Sequence, residues 1–464
     1  MRILLINPSQ RELYGSVASP DYPPVGLGYI AAVLEKDHEV KIIDIDADKY
    51  TKESFTRLLT EFQPKLVGIT ATTPTFKNAV KLSRVIKQHT DAYVALGGIH
   101  PNVAHAESIK PESVDFVIVG EGELTMTELA NLIANNKNDY TKIDGLVFKH
   151  NSRPMFNKQR ELIKNLDTLP NPARHLFRQN NYTDPDATAQ PTIPIITSRG
   201  CPGNCTYCCT KQIFSTRFRY RSAKNVAEEI EYLVKGYGAK EIHIWDDMAT
   251  LVKKRIFDLR DELKQRDIKV KIAFPNGLRV DYFNEEIGLA LKEMGTYSIA
   301  FGVESGNQKI LDKARKEITL DQVREAFRIA KKLKLETWGF FMLGLIGETE
   351  STVHDTIEFA KELDPDVVKF HILVPYPGTP VYNELLSKGF ILSKDYSKYG
   401  IHTKPVHRLE NLTPEDMLRL QKQAYREFYL RPRIIIKQLL RINSFTRLKL
   451  NMRAGVSIFR SMIS

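Results

Sequence analysis

Thr197-Ser-Arg-Gly-Cys-Pro-Gly-Asn-Cys-Thr-Tyr-Cys-Cys-Thr210 holds all four cysteines of the 464-residue protein, at 201, 205, 208 and 209. Three of them spell Cys201-x3-Cys205-x2-Cys208, with aromatic Tyr207 ahead of the last. Four cysteines packed this closely cannot form a disulfide framework, so a reducing, cytosolic setting is expected. A structural zinc site wants four ligands, usually as two separated pairs. Adjacent Cys208 and Cys209 cannot easily both reach one ion, and no second Cys or His pair lies nearby. A cluster of four irons and four sulfides held by three thiolates leaves one iron open, and an open iron can chelate a substrate-like ligand. Cys209 falls outside the triad; a buried bystander is the plain reading, a hydrogen-atom donor the sharper one.

Downstream of this stretch, strands and helices alternate. Pro191–Thr197 is strand-like and leads into the cysteines. Strands are expected at 240–245, 270–274, 298–302, 337–343 and 367–373, each followed or preceded by an amphipathic helix. Six βα units result. Polar and glycine residues gather where each strand ends: Asp246-Asp247, Glu304-Ser305-Gly306, Gly344 to Glu348, and Pro375-Tyr-Pro-Gly-Thr-Pro380. In βα barrels that face carries catalysis. One such acid alone would more often be a helix cap than a ligand; recurrence beside the cysteine stretch favours ligands.

Upstream, strands are expected at 2–7, 39–44, 66–70, 92–96 and 115–119, with helices near 25–36, 52–62, 75–90 and 124–135. Such alternation implies a parallel sheet covered on both faces, with its ligand site outside the carboxyl ends of the strands. Those ends are rich in glycine and hydroxyl residues: Thr70-Ala-Thr-Thr-Pro74, Gly97-Gly-Ile-His-Pro101 and Gly120-Glu-Gly-Glu123. Gly26-Leu-Gly28-Tyr-Ile-Ala31 spells a dinucleotide fingerprint, but almost twenty residues separate it from the first strand, whereas that fingerprint works only in a tight strand-to-helix turn.

The Cys-x3-Cys-x2-Cys spacing, with Tyr207 inside it and Thr-Ser-Arg-Gly before it, resembles the radical S-adenosylmethionine (SAM) superfamily. Tyr22-Pro-Pro-Val-Gly-Leu-Gly-Tyr-Ile-Ala-Ala32, Gly97-Gly-Ile-His-Pro101 and Val119-Gly-Glu-Gly-Glu123 look like the cobalamin-binding domain attached to many of its members, the class B methyltransferases among them. The resemblance covers about residues 1–400. It implies a [4Fe-4S] cluster on Cys201, Cys205 and Cys208, with SAM on the open iron. Asp246 and Asp247 fall where the family contacts the SAM amino group, Glu304 and Ser305 where it contacts the ribose, and Gly344 along the cofactor's path; Tyr207 sits beside it. Cobalamin is expected against Thr70, Thr72, Thr73, Gly97, Gly98, His100, Gly120, Glu121 and Gly122. No Asp-x-His-x-x-Gly follows the first strand, so no histidine is nominated as the lower cobalt ligand. His100 is the nearest, and a loop histidine satisfied by backbone is its plainer reading.

The expected architecture is α/β. A doubly wound, flavodoxin- or Rossmann-like cobalamin domain (1–140) is followed by a linker (141–190), a partial (β/α)6 barrel (191–400) and a helical basic tail (401–464). Of the net charge of +11, the stretch from Arg431 to Ser464 carries +8, with no Asp or Glu, leaving +3 for the rest. That tail reads either as helices docked on the barrel or as an in-plane membrane-surface pair. No secretory signal or membrane span is apparent, and a nucleic-acid partner is disfavoured for want of a long basic track.

The expected activity is methylation of an unactivated carbon, with 5′-deoxyadenosyl radical chemistry and methylcobalamin. The other readings are cyclisation, rearrangement or carbon–carbon coupling, and, in another class, a non-catalytic cobalamin or membrane-surface sensor. A methylthiotransferase would need a second cysteine cluster, which residues 1–200 lack. Expected partners are a small-molecule or lipid substrate and a reductant protein such as flavodoxin or ferredoxin.

Overall fold

The computed structural model describes residues 1–11, 22–178, 181–182, 184 and 187–440, without the side chains of 438–440. Seven strands form the first sheet: β1 (Arg2–Asn7), β2 (Glu39–Asp44), β3 (Leu66–Thr70), β4 (Tyr93–Gly97), β5 (Phe116–Ile118), β6 (Leu146–His150) and β7 (Arg153–Phe156). Their order is β2-β1-β3-β4-β5-β6-β7. The first five run parallel, in the flavodoxin order with its switch point between β1 and β3.

The run Ile3-Leu-Leu-Ile6 shows why both faces are covered. Side chains alternate along a strand, so Ile3 and Leu5 join one core with the helices Val25–Leu34 and Gly122–Ala134. Leu4 and Ile6 join the other, with the helices Lys52–Phe62 and Phe76–His89. Emptying such a site, as in Leu5→Ala, costs about 2–5 kcal/mol.

The segment expected as a linker opens with two strands of this sheet. β6 and β7 add antiparallel to β5, so the first layer runs past residue 140. Between them Asn151 and Ser152 take φ of 51° and 62°, the left-handed pair that a two-residue hairpin turn requires.

The second sheet contains β8 (Thr192–Ile195), β11 (Glu241–Ile244), β12 (Lys271–Leu278), β13 (Thr296–Glu304), β14 (Glu336–Leu343) and β15 (Val367–Ile372), all parallel and in sequence order. β8 and β15 do not pair, so the barrel is partial. A two-stranded ribbon of β9 (Ser198–Arg199) and β10 (Arg219–Tyr220) flanks the cysteine loop.

The exposed edge of β15 is closed by the helix Pro414–Tyr429. Its Tyr425 and Tyr429 hydroxyls accept the N–H groups of Phe370 and Val368 at 3.1 and 3.0 Å, and Gln421 donates to the Phe370 carbonyl at 2.7 Å. An edge strand left bare would offer those groups to another chain.

The next helix, Pro432–Leu440, is docked by charge: Arg431 and Arg433 reach Asp364 at 3.3 and 3.2 Å, and Lys437 reaches Asp366 at 3.0 Å. The start of the basic tail is therefore engaged with the barrel. Its remainder, from Arg441, lies outside the described residues. Among the described residues no helix is long and apolar enough to cross a membrane.

Candidate active site

The cysteine loop leaves β9 at Gly200, whose φ of +91° and contact with the Arg217 carbonyl admit no side chain. All four thiols are half-buried. A side chain at Gly203 would stand 3.3 Å from the Cys201 Sγ and 4.0 Å from the Cys205 Sγ, so these two thiols flank one bare backbone position. Cys201, Cys205 and Cys208 lie near enough to act on one another electrostatically, whereas Cys209 feels Cys208 alone. Among the described residues no three Cys, His, Asp or Glu side chains converge tightly enough for a single metal ion. Three thiolates that each bind a different iron of a cluster stand farther apart than the ligands of one ion, so this donor set suits a cluster better. Burial raises the Cys201 and Cys205 thiols, and that of Cys209 to about 12, so bonding to metal must supply the drive for deprotonation.

The Tyr207 ring packs on Ile310, Ala314 and Leu345, while the Thr206 N–H donates to the Ala314 carbonyl at 3.0 Å; together they pin the loop to the barrel.

The two aspartates that end β11 divide. Asp246 turns back under the loop and accepts five hydrogen bonds: from the Thr197 N–H (2.6 Å) and hydroxyl (2.5 Å), the Ser198 N–H (3.0 Å) and hydroxyl (2.6 Å), and Arg255 (3.0 Å). It has no capacity left for a ligand and braces Thr197-Ser198 instead, which corrects the expectation that it meets the SAM amino group. Asp247 opens to solvent, touched by the Thr210 hydroxyl at 3.3 Å. The walls around it and neighbouring Asp246 hold its carboxyl above the usual range.

Glu304 ends β13 with a φ of +70°, a left-handed conformation costly for a residue with a side chain. Buried Lys316 holds its carboxylate at 2.8 Å. Ser305 is fully buried, its hydroxyl against the Thr356 hydroxyl at 3.2 Å and accepting from the Asn307 N–H at 3.2 Å, so it faces the barrel wall and not the cleft. Gly344 likewise has both backbone groups engaged, its N–H by Glu348 at 2.5 Å and its carbonyl by His407 at 3.2 Å. Burial lifts Glu348 to about 8 and lowers His407 to about 4.

In the first sheet, Thr72, Gly98 and Ile99 are exposed and Thr70, Gly97, Gly120 and Gly122 partly so, along one edge beyond β3, β4 and β5. A side chain added at Gly120 would meet open space. Bare backbone beside an exposed isoleucine suits the apolar flank of a large flat ring. At Gly98, by contrast, φ is +102° and a Cβ would stand 2.8 Å from the Thr70 hydroxyl and 2.9 Å from the Ala71 backbone. Gly98→Ala is expected to cost about 2–3 kcal/mol in denaturant unfolding of the cofactor-free protein, and Gly97→Ala about 1 or less.

Thr73, His100 and Glu121 depart from expectation. Thr73 and His100 are both buried and bonded to each other at 3.3 Å, and the imidazole lies between Phe76 (4.3 Å) and Tyr396 (4.7 Å). Burial lowers His100 to about 4, and nothing of it reaches the open edge. The Glu121 carboxylate is occupied by Arg199 (2.7 Å), Arg219 (2.8 Å) and the Ile163 N–H (2.7 Å). Glu123 takes the other nitrogen of Arg199 at 2.6 Å. These buried pairs join the edge of the first sheet to β9 and β10, two residues before Cys201, so the two candidate cofactor sites are fixed next to each other.

The lumen of the barrel is lined by inward-facing strand residues that include Trp338, Phe340, Tyr297, Ser298, Lys369 and His243. The Lys369 Nζ lies 4.8 Å from the centre of the Trp338 ring. Above it, His371 is kept neutral by burial, with a pKa of about 4. At the floor, His243 forms an ion pair with Asp184 (2.8 Å) and a hydrogen bond with Glu241 (2.7 Å), and the Tyr297 hydroxyl also reaches Glu241 (2.5 Å). Burial alone would lower this imidazole, but its two carboxylate partners outweigh that and raise it to about 9.

A raised histidine pKa stabilises the fold fully below its unfolded value of 6.5, and that contribution is lost as pH climbs through about 9. Unfolding midpoints in denaturant should therefore fall by up to ~3 kcal/mol equivalent across that window, and His243→Gln should flatten the dependence.

The family model described as the radical SAM superfamily matches residues 195–360, and that of the B12 binding domain matches 11–130. An uncharacterized methyltransferase of Pyrococcus horikoshii is 35% identical over 447 residues, covering 96% of each chain. The anaerobic magnesium-protoporphyrin IX monomethyl ester cyclase of Cereibacter sphaeroides is 27% identical over 93% of this chain and 71% of its own. Among solved structures, the cobalamin-dependent SAM radical enzyme OxsB superposes with a TM-score of 0.77 at 15% identity, over all of this chain and 72% of that one, a likeness of fold. With the cysteine triad and the flavodoxin-order sheet, these matches make the chain a member of the radical SAM superfamily that carries a B12-binding domain, an enzyme whose cofactors are a [4Fe-4S] cluster, SAM and cobalamin.

Proposed function

We infer that this enzyme methylates an unactivated carbon of a small, largely apolar substrate held in the barrel lumen. The observation that carries this reading is the buried Arg199–Glu121/Glu123 junction, which ties the edge of the first sheet to the strand leading into the cysteine loop. The methyltransferase relative at 35% identity over nearly the whole chain supports it. When bound, the cluster and SAM supply a 5′-deoxyadenosyl radical and cobalamin carries the methyl group.

The protein's part is to hold, orient and keep dry. Cys201, Cys205 and Cys208 hold the cluster. Asp247, the member of its pair with capacity to spare, receives the SAM ammonium. Glu304, fixed by Lys316, takes the ribose hydroxyls. Thr70, Thr72, Gly97, Gly98, Gly120 and Gly122 form the cradle for cobalamin. Trp338 and Phe340 give the substrate a flat apolar wall and exclude water from the reacting carbon.

Anaerobic reconstitution with cluster and cobalamin, followed by mass analysis of SAM products, tests the reading. Methylation consumes two SAM, giving 5′-deoxyadenosine and S-adenosylhomocysteine in equal amounts with the methylated product. 5′-Deoxyadenosine without S-adenosylhomocysteine would replace methylation by ring closure or rearrangement, the class to which the cyclase relative belongs.

A further inference from the structure

Arg279 follows the last residue of β12 and turns onto the cysteine loop. Its Nε and Nη2 both go to the Asp281 carboxylate, at 3.0 and 2.9 Å. The third nitrogen, Nη1, makes no hydrogen bond among the described residues. It faces Gly203 instead: a Cβ there would stand 3.3 Å from Nη1, 3.3 Å from the Cys201 Sγ and 4.0 Å from the Cys205 Sγ. The guanidinium and two of the thiols thus meet around one bare backbone position, whose own N–H donates to the Cys201 Sγ at 3.4 Å.

A second cation comes from the segment 314–317. Its Ala314 carbonyl holds the Thr206 N–H at 3.0 Å, and its Glu317 carbonyl meets the Arg279 Nη2 at 3.4 Å. Within it, buried Lys316 lies on Glu304 at 2.8 Å and near enough to Cys205 for its charge to act there. The charge of Arg279 is felt at both Cys205 and Cys201. The acids that oppose these cations at the loop are Asp247 towards Cys201 and Glu304 towards Cys205. With three thiolates, a four-iron cluster in the 2+ state carries one net negative charge, and one more electron makes it two. A fixed cation beside it therefore favours the reduced form, net charge being one of the levers on such a potential.

We propose that Arg279 raises the reduction potential of the cluster, its Nη1 edge turned to the loop so that the form with the extra negative charge is favoured. The proposal rests on the assignment of the cluster to Cys201, Cys205 and Cys208. The step that Arg279 biases is the uptake of one electron from a low-potential donor, which takes the cluster from 2+ to 1+ with no bond made or broken. Asp281 has two effects on it. It fixes the guanidinium by two hydrogen bonds on the edge away from Gly203, and its negative charge cancels part of the field at the loop.

The test titrates the full chain, with reconstituted cluster and without SAM, against dithionite in the presence of redox mediators. The reduced cluster is counted by its electron paramagnetic resonance signal. In Arg279→Gln the ratio of reduced to oxidised cluster at a given potential should fall about tenfold, a midpoint about 59 mV lower, with iron and sulfide content unchanged. Arg279→Lys keeps the charge and should stay within about threefold of wild type. Asp281→Asn breaks the same ion pair but leaves the cation, so its ratio should rise. A loop merely loosened by the lost ion pair would move Arg279→Gln and Asp281→Asn the same way. An Arg279→Gln midpoint equal to wild type, an Arg279→Lys midpoint as low as that of Arg279→Gln, or equal shifts in Arg279→Gln and Asp281→Asn overturns the proposal. If Arg279→Gln sheds its cluster, Asp281→Asn decides alone, and a midpoint that does not rise overturns it. A wild-type protein that takes up no cluster would overturn the cluster assignment instead.

Discussion

With Cys205 replaced by serine, the anaerobically reconstituted protein is expected to lack iron–sulfur absorbance and to cleave SAM only at background, while Cys209→Ala keeps both. Cys201 and Cys205 lie on either side of Gly203, and Cys208 completes the mutually interacting set. A hydroxyl is a harder and far less acidic ligand than a thiol, so an iron loses its anchor and the cluster, with two attachments left, is shed. Cys209 touches this set only through Cys208. Losing its buried sulfur costs about 1 kcal/mol of packing and no ligand. Iron and sulfide content, the 400 nm absorbance and 5′-deoxyadenosine formation read the contrast directly. A cluster that survives in Cys205→Ser, or disappears in Cys209→Ala, would overturn the choice of ligands.

The sequence carried the sheets plainly, because parallel strands covered on both faces are short apolar runs such as Ile3-Leu-Leu-Ile6 and Ile242-His-Ile244, separated by amphipathic helices. The cysteine spacing was equally open, being local. Direction was not. Asp246 and Asp247 look alike in the chain, yet adjacent residues leaving a strand point to opposite sides. One of them became the brace of Thr197-Ser198 and the other stayed free for the cleft. The partners of Ser305 and Gly344 were hidden too: a polar or flexible residue at a strand end says that backbone needs satisfying there, and Thr356, Glu348 and His407 satisfy it from segments the sequence cannot place.

The lumen had a weak signal that could have been found. Trp338, Phe340 and Met342, and Lys369 and His371, recur at every second position, so a lysine and a histidine share the inward register of neighbouring strands. Lys316 had none, since a buried lysine shows itself only through the carboxylate it meets.

The least legible feature, the junction of the two domains, gives the other large expected effect. Arg199 is nearly buried, its guanidinium divided between Glu121 at 2.7 Å and Glu123 at 2.6 Å and lying 5.2 Å from the Tyr29 ring. Glu121 has a second cation in Arg219, but Glu123 has no other cation among its recorded ion pairs. In Arg199→Met, Glu123 is therefore left buried and uncompensated, a situation that costs about 3–5 kcal/mol. The thermal midpoint should fall by roughly 6–10 °C. Because Arg199 lies two residues before Cys201, the same change should loosen the loop and lower cluster occupancy.

If uncompensated charge is the cause, and not lost packing, then Arg199→Met/Glu123→Gln removes both partners and should recover more than half of the lost stability. Glu123→Gln alone should be milder than Arg199→Met, since Arg199 keeps Glu121. A double variant as unstable as the two single losses added together would show that the pair is not coupled. The Arg199–Glu123 pair could then not be what holds the edge of the first sheet against the cysteine loop, and that role would fall to Glu121 with Arg219 and to apolar contact.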